Sequence, residues 1–269
     1  MCRIIIIIFQ LKVFGIIPAR YASSRFPGKP LALIEGRTMV EWVYQHALEA
    51  FDTVAVATDD ERIVREVQRF GGRAVMTSPE HRNGTGRCAE ALALMQNETG
   101  EKADVVVNIQ GDEPFIAPVL LSQLANCFEN RNTQIATVVK PFDTIADLTN
   151  PNHVKAVITA AGRAVYFSRS PVPYIRGVAQ NDWLNRHTFY RHLGLYAYRA
   201  DTLARLTQLP PSPLEIAESL EQNRWLENDY YISVIQTQDE SIAIDTPEDL
   251  EKAKKFHDSV IQRFHNSKI

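Results

Sequence analysis

Three cations and no acid stand between Pro18 and Pro30: Arg20, Arg25 and Lys29 fall within ten residues of one another. An arginine offers a bidentate fork to phosphate oxygens and a lysine offers a point charge, so this spacing suits a triphosphate. Gly28 beside Lys29 permits a close backbone approach or a positive φ. The GxxxxGK[ST] pattern of a P-loop is absent. A solvated basic turn is the plain alternative, weakened by the mildly acidic chain around it. A second constellation is Asn108-Ile109-Gln110-Gly111-Asp112-Glu113-Pro114. A carboxylate at the end of a buried strand is well placed for Mg²⁺, which takes one or two carboxylates plus phosphate oxygens and waters. Asp112 is the first candidate ligand, and Glu113 is either a second or part of the turn; an Asx-type turn is the structural alternative. A third is Asp245, just before Thr246-Pro247. An aspartate there is ordinarily a helix cap, and it becomes a metal ligand only if the fold brings it to Asp112.

Two further groups are less specific. His81-Arg82-Asn83-Gly84-Thr85-Gly86-Arg87 is a polar, glycine-containing segment before a helical pattern. It can meet a base or phosphate through backbone groups at a helix start, or be a connecting loop. Arg169, His192, Tyr196, Glu221 and Gln222 are polar groups in apolar surroundings. With the aromatics and cations of Phe189 to Arg199 they suit a hydroxylated carboxylic acid, but core or interface use ranks ahead of ligand use on these residues alone.

Several elements must position these residues. Val13 to Ile17 reads as a buried strand ahead of the basic loop. A helix follows over Thr38 to Ala50, then a strand over Thr53 to Thr58. Asp59 or Asp60 caps a helix that Gly71-Gly72 ends, and Arg73 to Thr77 is a short strand. A helix covers about Gly86 to Asn97, and Asp104 to Gln110 is the strongest strand. This alternation predicts a parallel sheet with helices on both faces, whose ligands sit beyond the carboxyl ends of its strands. After a helix from Pro118 the pattern changes. Ile135 to Phe142, Val154 to Ile158 and Ala164 to Ser168 read as strands without helices between them. A single helix is expected over 213–227, a strand over Tyr231 to Gln236, and a helix starting at Thr246-Pro247. The expected fold is a single α/β domain over residues 12–256, with a mostly parallel twisted sheet and an antiparallel insertion. Residues 1–11 read as an atypical extension, with an extra strand as the alternative, and 257–269 as the end of a C-terminal helix or a tail.

The 269 residues carry a net charge of −3, so no global basic field favours nucleic acid. The apolar run from Ile4 to Phe9 is too short for a membrane span and is followed by Gln10 and Lys12. Three separated cysteines (Cys2, Cys88 and Cys127) suggest reduced thiols of a cytoplasmic protein.

Taken together the motifs resemble the 3-deoxy-manno-octulosonate cytidylyltransferase family. IIPARYASSRFPGKPL, VNIQGDEPFI, NPNHVKAVI, AVYFSRSPVPY, RHLGLYAYR, SPLE, SLEQNRWLE and IDTPEDLEKAKK occur in the family's order, from about Val13 to Phe256. The resemblance implies a nucleotidyltransferase fold and a homodimer built through the inserted region. It implies CTP and the eight-carbon acid sugar (KDO) as substrates, Mg²⁺ as cofactor, and a CMP-sugar product for lipopolysaccharide assembly. Carried over by position, Arg20 and Lys29 meet the triphosphate, with Arg25 beside them, and Asp112 and Asp245 hold metal. Gly84, Thr85 and Arg87 lie at the nucleotide. Gln110, Arg169, His192, Tyr196, Glu221 and Gln222 line the sugar site. The chain departs from the pattern at Gly86, where relatives often carry Glu, and in its longer extension before Lys12. A cytidylyltransferase for a sialic acid or an 8-amino analogue is the neighbouring alternative.

Overall fold

Val105, Val106 and Val107 have no exposed surface, which places their strand at the centre of the molecule with cover on both faces. The computed structural model describes residues 11–22, 25–239 and 243–255. In chain order its strands are β1 (Val13–Pro18), β2 (Leu33–Ile34), β3 (Arg37–Thr38), β4 (Thr53–Thr58), β5 (Ala74–Met76) and β6 (Val105–Asn108). They continue with β7 (Ile135–Pro141), β8 (Lys155–Ile158), β9 (Ala164–Ser168), β10 (Tyr190–Arg199) and β11 (Ile232–Gln236). The helices are α1 (Met39–Ala50), α2 (Glu61–Arg69), α3 (Gly84–Thr99), α4 (Pro118–Asn126), α5 (Ile145–Thr149), α6 (Ala200–Leu206), α7 (Pro213–Glu218) and α8 (Glu221–Glu227). A last helix, α9, covers residues 247–255.

The main sheet runs β11-β7-β10-β6-β1-β4-β5. β1 pairs in parallel with β4 and β6, β4 with β5, and β7 with β11. Only β10 runs against its neighbours β6 and β7. β8 pairs antiparallel with β10 and with β9, forming the hairpin that extends the sheet. The side-chain alternation of each strand feeds two cores. Phe14, Ile16 and Val106 face α3, α6 and Trp225, whereas Ile17, Val105 and Val107 face α1, α2 and α4. The single α/β domain and its antiparallel insertion are as the sequence predicts. The expected extension and tail lie outside the described residues, apart from Leu11.

Local expectations differ from the fold in four places. The helix expected from Gly86 begins at Gly84, because the Asn83 side chain caps it by accepting from the Gly86 amide at 2.9 Å. The helix expected over 213–227 is two, split at Ser219, whose φ of 52° is left-handed. Between β7 and β8 stands α5, five residues long and too short to show a helical period. Finally, residues 190–199 are a ten-residue strand inside the sheet. Its register shifts between His192 and Tyr196, where Gly194 takes a φ of 73°. That irregularity breaks the alternation from which a strand would be read.

Candidate functional site

The basic loop leaves β1 at Pro18, and the Gln110–Asp112 turn leaves β6 beside it, so both emerge at carboxyl ends of adjacent parallel strands. Gly111 lets them touch: a Cβ there would lie 3.0 Å from the Pro18 carbonyl oxygen. Gly28 has a φ of 72°, and its amide donates to the Tyr21 carbonyl, closing the loop and turning Lys29 inward. The Asp245 segment arrives from the far end of the chain. The Ile244 amide donates to the Asp112 carbonyl at 2.9 Å. Ile244 and Ala253 are buried with Ile34 and Met39 in a small separate core that anchors this segment. Thr246 caps α9 by accepting from the Asp249 amide.

These elements enclose a cleft of about 270 Å³ lined by Arg20, Arg25, Lys29, Gly84, Arg87, Gln110, Asp112 and Asp245, together with His81, Arg82 and Asn83. At its floor the Lys29 ammonium donates to Asp112 Oδ2 at 2.8 Å and Asp245 Oδ1 at 3.1 Å. Arg25 pairs with the other oxygen of Asp245 at 3.1 Å. Two carboxylates from distant parts of the chain therefore converge on one cationic point. A pair of this kind fits Mg²⁺, which completes its shell with waters and substrate phosphates. Among the described residues no group of three or more acidic, histidine or cysteine side chains forms an all-protein metal cage. The opposite wall carries Arg87, buried and held by Thr77 Oγ1 at 2.7 Å and Asp59 Oδ2 at 3.1 Å. Of the two candidate caps for α2, Asp60 is the cap, and Asp59 holds Arg87 instead. Its role shows only through this contact.

A second group adjoins the cleft. Glu221 accepts from Asn83 Nδ2 and Thr85 Oγ1, both at 2.7 Å, and from Arg224 at 2.6 Å. Thr85 is thus committed to Glu221, while its neighbours Asn83 and Gly84 face the cleft. Burial raises the Glu221 carboxyl above its ordinary value despite these donors. Tyr196 sits opposite Asn108 in the β10–β6 register, and its buried hydroxyl has no hydrogen-bond partner among the described residues. The His192 ring lies tilted against Tyr196 and edge-on to Phe167, with centroids 5.1 and 4.9 Å away. Burial pushes its pKa down to about 3, so the ring is neutral. The Thr137 hydroxyl donates to the Leu195 carbonyl, which leaves it as acceptor for the His192 Nε2, 2.9 Å away. Nε2 then carries the proton, and Nδ1 is an acceptor.

Arg169 stands apart from the cleft lining. Its guanidinium donates to the carbonyls of Glu218 at 2.7 Å, Pro151 at 3.1 Å and Ser219 at 3.4 Å. Its amide donates to the Glu218 carboxylate at 2.9 Å. Gln222 is buried at the start of α8, beside Glu221. Glu218 also accepts from the hydroxyls of Tyr166 and Ser168. No pattern in the sequence marked it, because all three donors are remote in sequence. The arrangement as a whole offers a polyanion-binding cleft with a two-carboxylate floor, next to buried hydroxyl, imidazole and carboxylate groups.

Comparison with known proteins places this geometry. The cytidylyltransferase family model matches residues 14–242. A 3-deoxy-manno-octulosonate cytidylyltransferase of Parabacteroides distasonis is 56% identical over 251 residues, covering 92% of this chain and 98% of its own. Its counterpart from Bacteroides thetaiotaomicron is 53% identical, covering 91% and 98%. The solved structure of CMP:2-keto-3-deoxy-manno-octonic acid synthetase complexed with CTP superposes with a TM-score of 0.83 at 38% identity, over 92% of this chain and 99% of that one. A cytidylyltransferase from Leptospira borgpetersenii, 16% identical with a TM-score of 0.55 over 91% of this chain and 86% of its own, shares the fold. The chain belongs to the cytidylyltransferase family and, within it, to the 3-deoxy-manno-octulosonate cytidylyltransferases.

Proposed function

We propose that this protein transfers CMP from CTP to the anomeric hydroxyl of 3-deoxy-manno-octulosonate, releasing pyrophosphate and supplying the CMP-sugar for lipopolysaccharide assembly. The observation that carries the reading is the convergence of Lys29, Asp112 and Asp245 in a cleft that also holds Arg20, Arg25 and Arg87. The anomeric oxygen forms a bond to the α-phosphorus of CTP, the α–β anhydride bond breaks, and the hydroxyl proton is lost to solvent. Little covalent work falls to the protein, so positioning and charge neutralisation dominate. Arg20, Arg25 and Lys29 hold the triphosphate and neutralise the departing pyrophosphate. Gly84 and the start of α3 lie at the nucleotide with Arg87. Gln110, Arg169, His192, Tyr196, Glu221 and Gln222 take the sugar. Asp112 and Asp245 would hold Mg²⁺, which supplies phosphate charge neutralisation and acidifies a coordinated hydroxyl.

The protein works in the cytoplasm as a homodimer in this reading, associated through the inserted region. No helix among the described residues is long and apolar enough to cross a membrane. Pyrophosphate release tests the function, with CTP against UTP and with 3-deoxy-manno-octulosonate against sialic acid and the 8-amino analogue. Release is expected only with CTP and 3-deoxy-manno-octulosonate itself. CTP binding without release under every condition would leave a nucleotide-binding protein and overturn the assignment.

A further inference from the structure

Lys155 is a lysine with no exposed surface. Its ammonium donates to two backbone carbonyls, Asn150 and Arg169, each at 2.7 Å. Removing a lysine from water is costly unless its charge is used, and both partners here are neutral. Its place in the sheet is informative. Lys155 pairs with Ser168 on one side and Arg191 on the other, and each immediately precedes a residue of the candidate sugar group, Arg169 and His192. The His192 amide donates to the carbonyl of Val154, the residue before Lys155. From the carbonyl that Lys155 holds, the Arg169 side chain reaches Pro151, Glu218 and Ser219. Glu218 and Ser219 form the break from which α8 starts, with Glu221 and Gln222 in its first turn. One buried ammonium thus ties together the turn at 150–151, the exit of β9 and the entry to α8.

We propose that Lys155 is a positioning residue for the acid sugar: its charge-assisted bonds fix Arg169, and through it the α7–α8 break, in the geometry that receives the substrate carboxylate. This rests on the functional reading above. The charged groups facing the ammonium are Arg169 and Glu218, with the Phe142 ring 6.0 Å away. His153, beside Asp147 and Arg191, also feels the charge. Burial, aided by the Arg169 charge, brings the Lys155 pKa down to about 8, and a neutral amine makes weaker bonds to carbonyls than an ammonium does.

The test is steady-state pyrophosphate release by wild type and Lys155→Met, with each substrate varied in turn and CTP binding measured by calorimetry. The variant is expected to raise KM for the sugar about tenfold or more while KM for CTP stays within about twofold. Equal changes in both, or none, would overturn the proposal. Wild type supplies a second measurement that stands even if the variant fails to fold. Its kcat/KM for the sugar is expected to fall as pH rises through about 8 while kcat/KM for CTP stays level. A sugar profile flat to about pH 9.5 overturns the proposal as well. Wild-type turnover with CTP and sugar reports on the functional reading alone, and the selective change in the sugar parameters reports on Lys155.

Discussion

Lys29 holds Asp112 at 2.8 Å and Asp245 at 3.1 Å with a side chain that is largely buried. Its ammonium therefore occupies the point where the two carboxylates converge, and a divalent cation bound there has to displace it. On the proposed reading the released ammonium would be free to meet the triphosphate, and metal and nucleotide binding would be linked through one side chain. Lys29→Ala is expected to bind Mn²⁺ alone about tenfold more tightly than wild type, because no ammonium competes. Its turnover is expected to fall for want of a charge on the leaving pyrophosphate. Electron paramagnetic resonance of free against bound Mn²⁺ measures the first effect, and unchanged affinity would show that the lysine does not compete. Asp112→Asn separates the carboxylate from the fold. The side chain is part-exposed, and its backbone carbonyl keeps the bond from Ile244. Its kcat is expected to drop about 10²–10³-fold with little change in the denaturation midpoint. Near wild-type turnover with Mg²⁺ would remove Asp112 from the metal site.

The junction of β9 with α7 carries Arg169 of the candidate sugar group, and Glu218 governs it. Burial pushes the Glu218 carboxyl up, but the Arg169 amide and the hydroxyls of Ser168 and Tyr166 together pull it below the ordinary value of 4.5. For an acid depressed in the folded state, the stabilisation is present above the unfolded value and is lost as pH falls through the folded one. Glu218→Gln is accordingly expected to lose about 1–2 kcal/mol at neutral pH. That deficit should shrink as pH falls below 4.5; urea titrations between neutral and acid pH measure it, and a deficit independent of pH would refute the account. Within the insertion, β10 was the least legible element of the sequence. β1, β4 and β6 were readable because strands covered on both faces are continuous apolar runs. β10 was not: one side of it must hold His192 and Tyr196 at the site while Gly194 shifts the register, so neither alternation nor an apolar run survives. The cations of the basic loop announced themselves by charge. Lys155 and Glu218 did not, since a buried ion's purpose lies in partners that only the folded chain brings to it.

At the scale of the whole molecule, the parallel half was read in sequence because each strand and its helix are neighbours in the chain. The placement of β7, β10 and β11 was not, because their pairing is between distant segments. The same insertion leaves apolar side chains exposed. The far side of β9 is occupied by the Asn223 side chain at Phe167 and by the bridge of Arg163 to Ser233, but its Val165 is 53% exposed and Tyr174 beyond it is 74% exposed. Exposed apolar side chains grouped on one surface tend to be covered, and the cover can be a second copy about a two-fold axis. The net charge of −3 opposes such pairing only weakly. Sedimentation velocity is expected to give the mass of two chains at micromolar concentration. Val165→Glu places a charge, and its two-fold mate, in that surface, and is expected to weaken association about tenfold or more. The active cleft lies at the carboxyl ends of β1 and β6, away from β9 in the sheet order, so CTP binding by the separated chains should survive. A single-chain mass for wild type would show that β9 is not an interface; a dimer indifferent to Val165→Glu would move the interface elsewhere on the insertion.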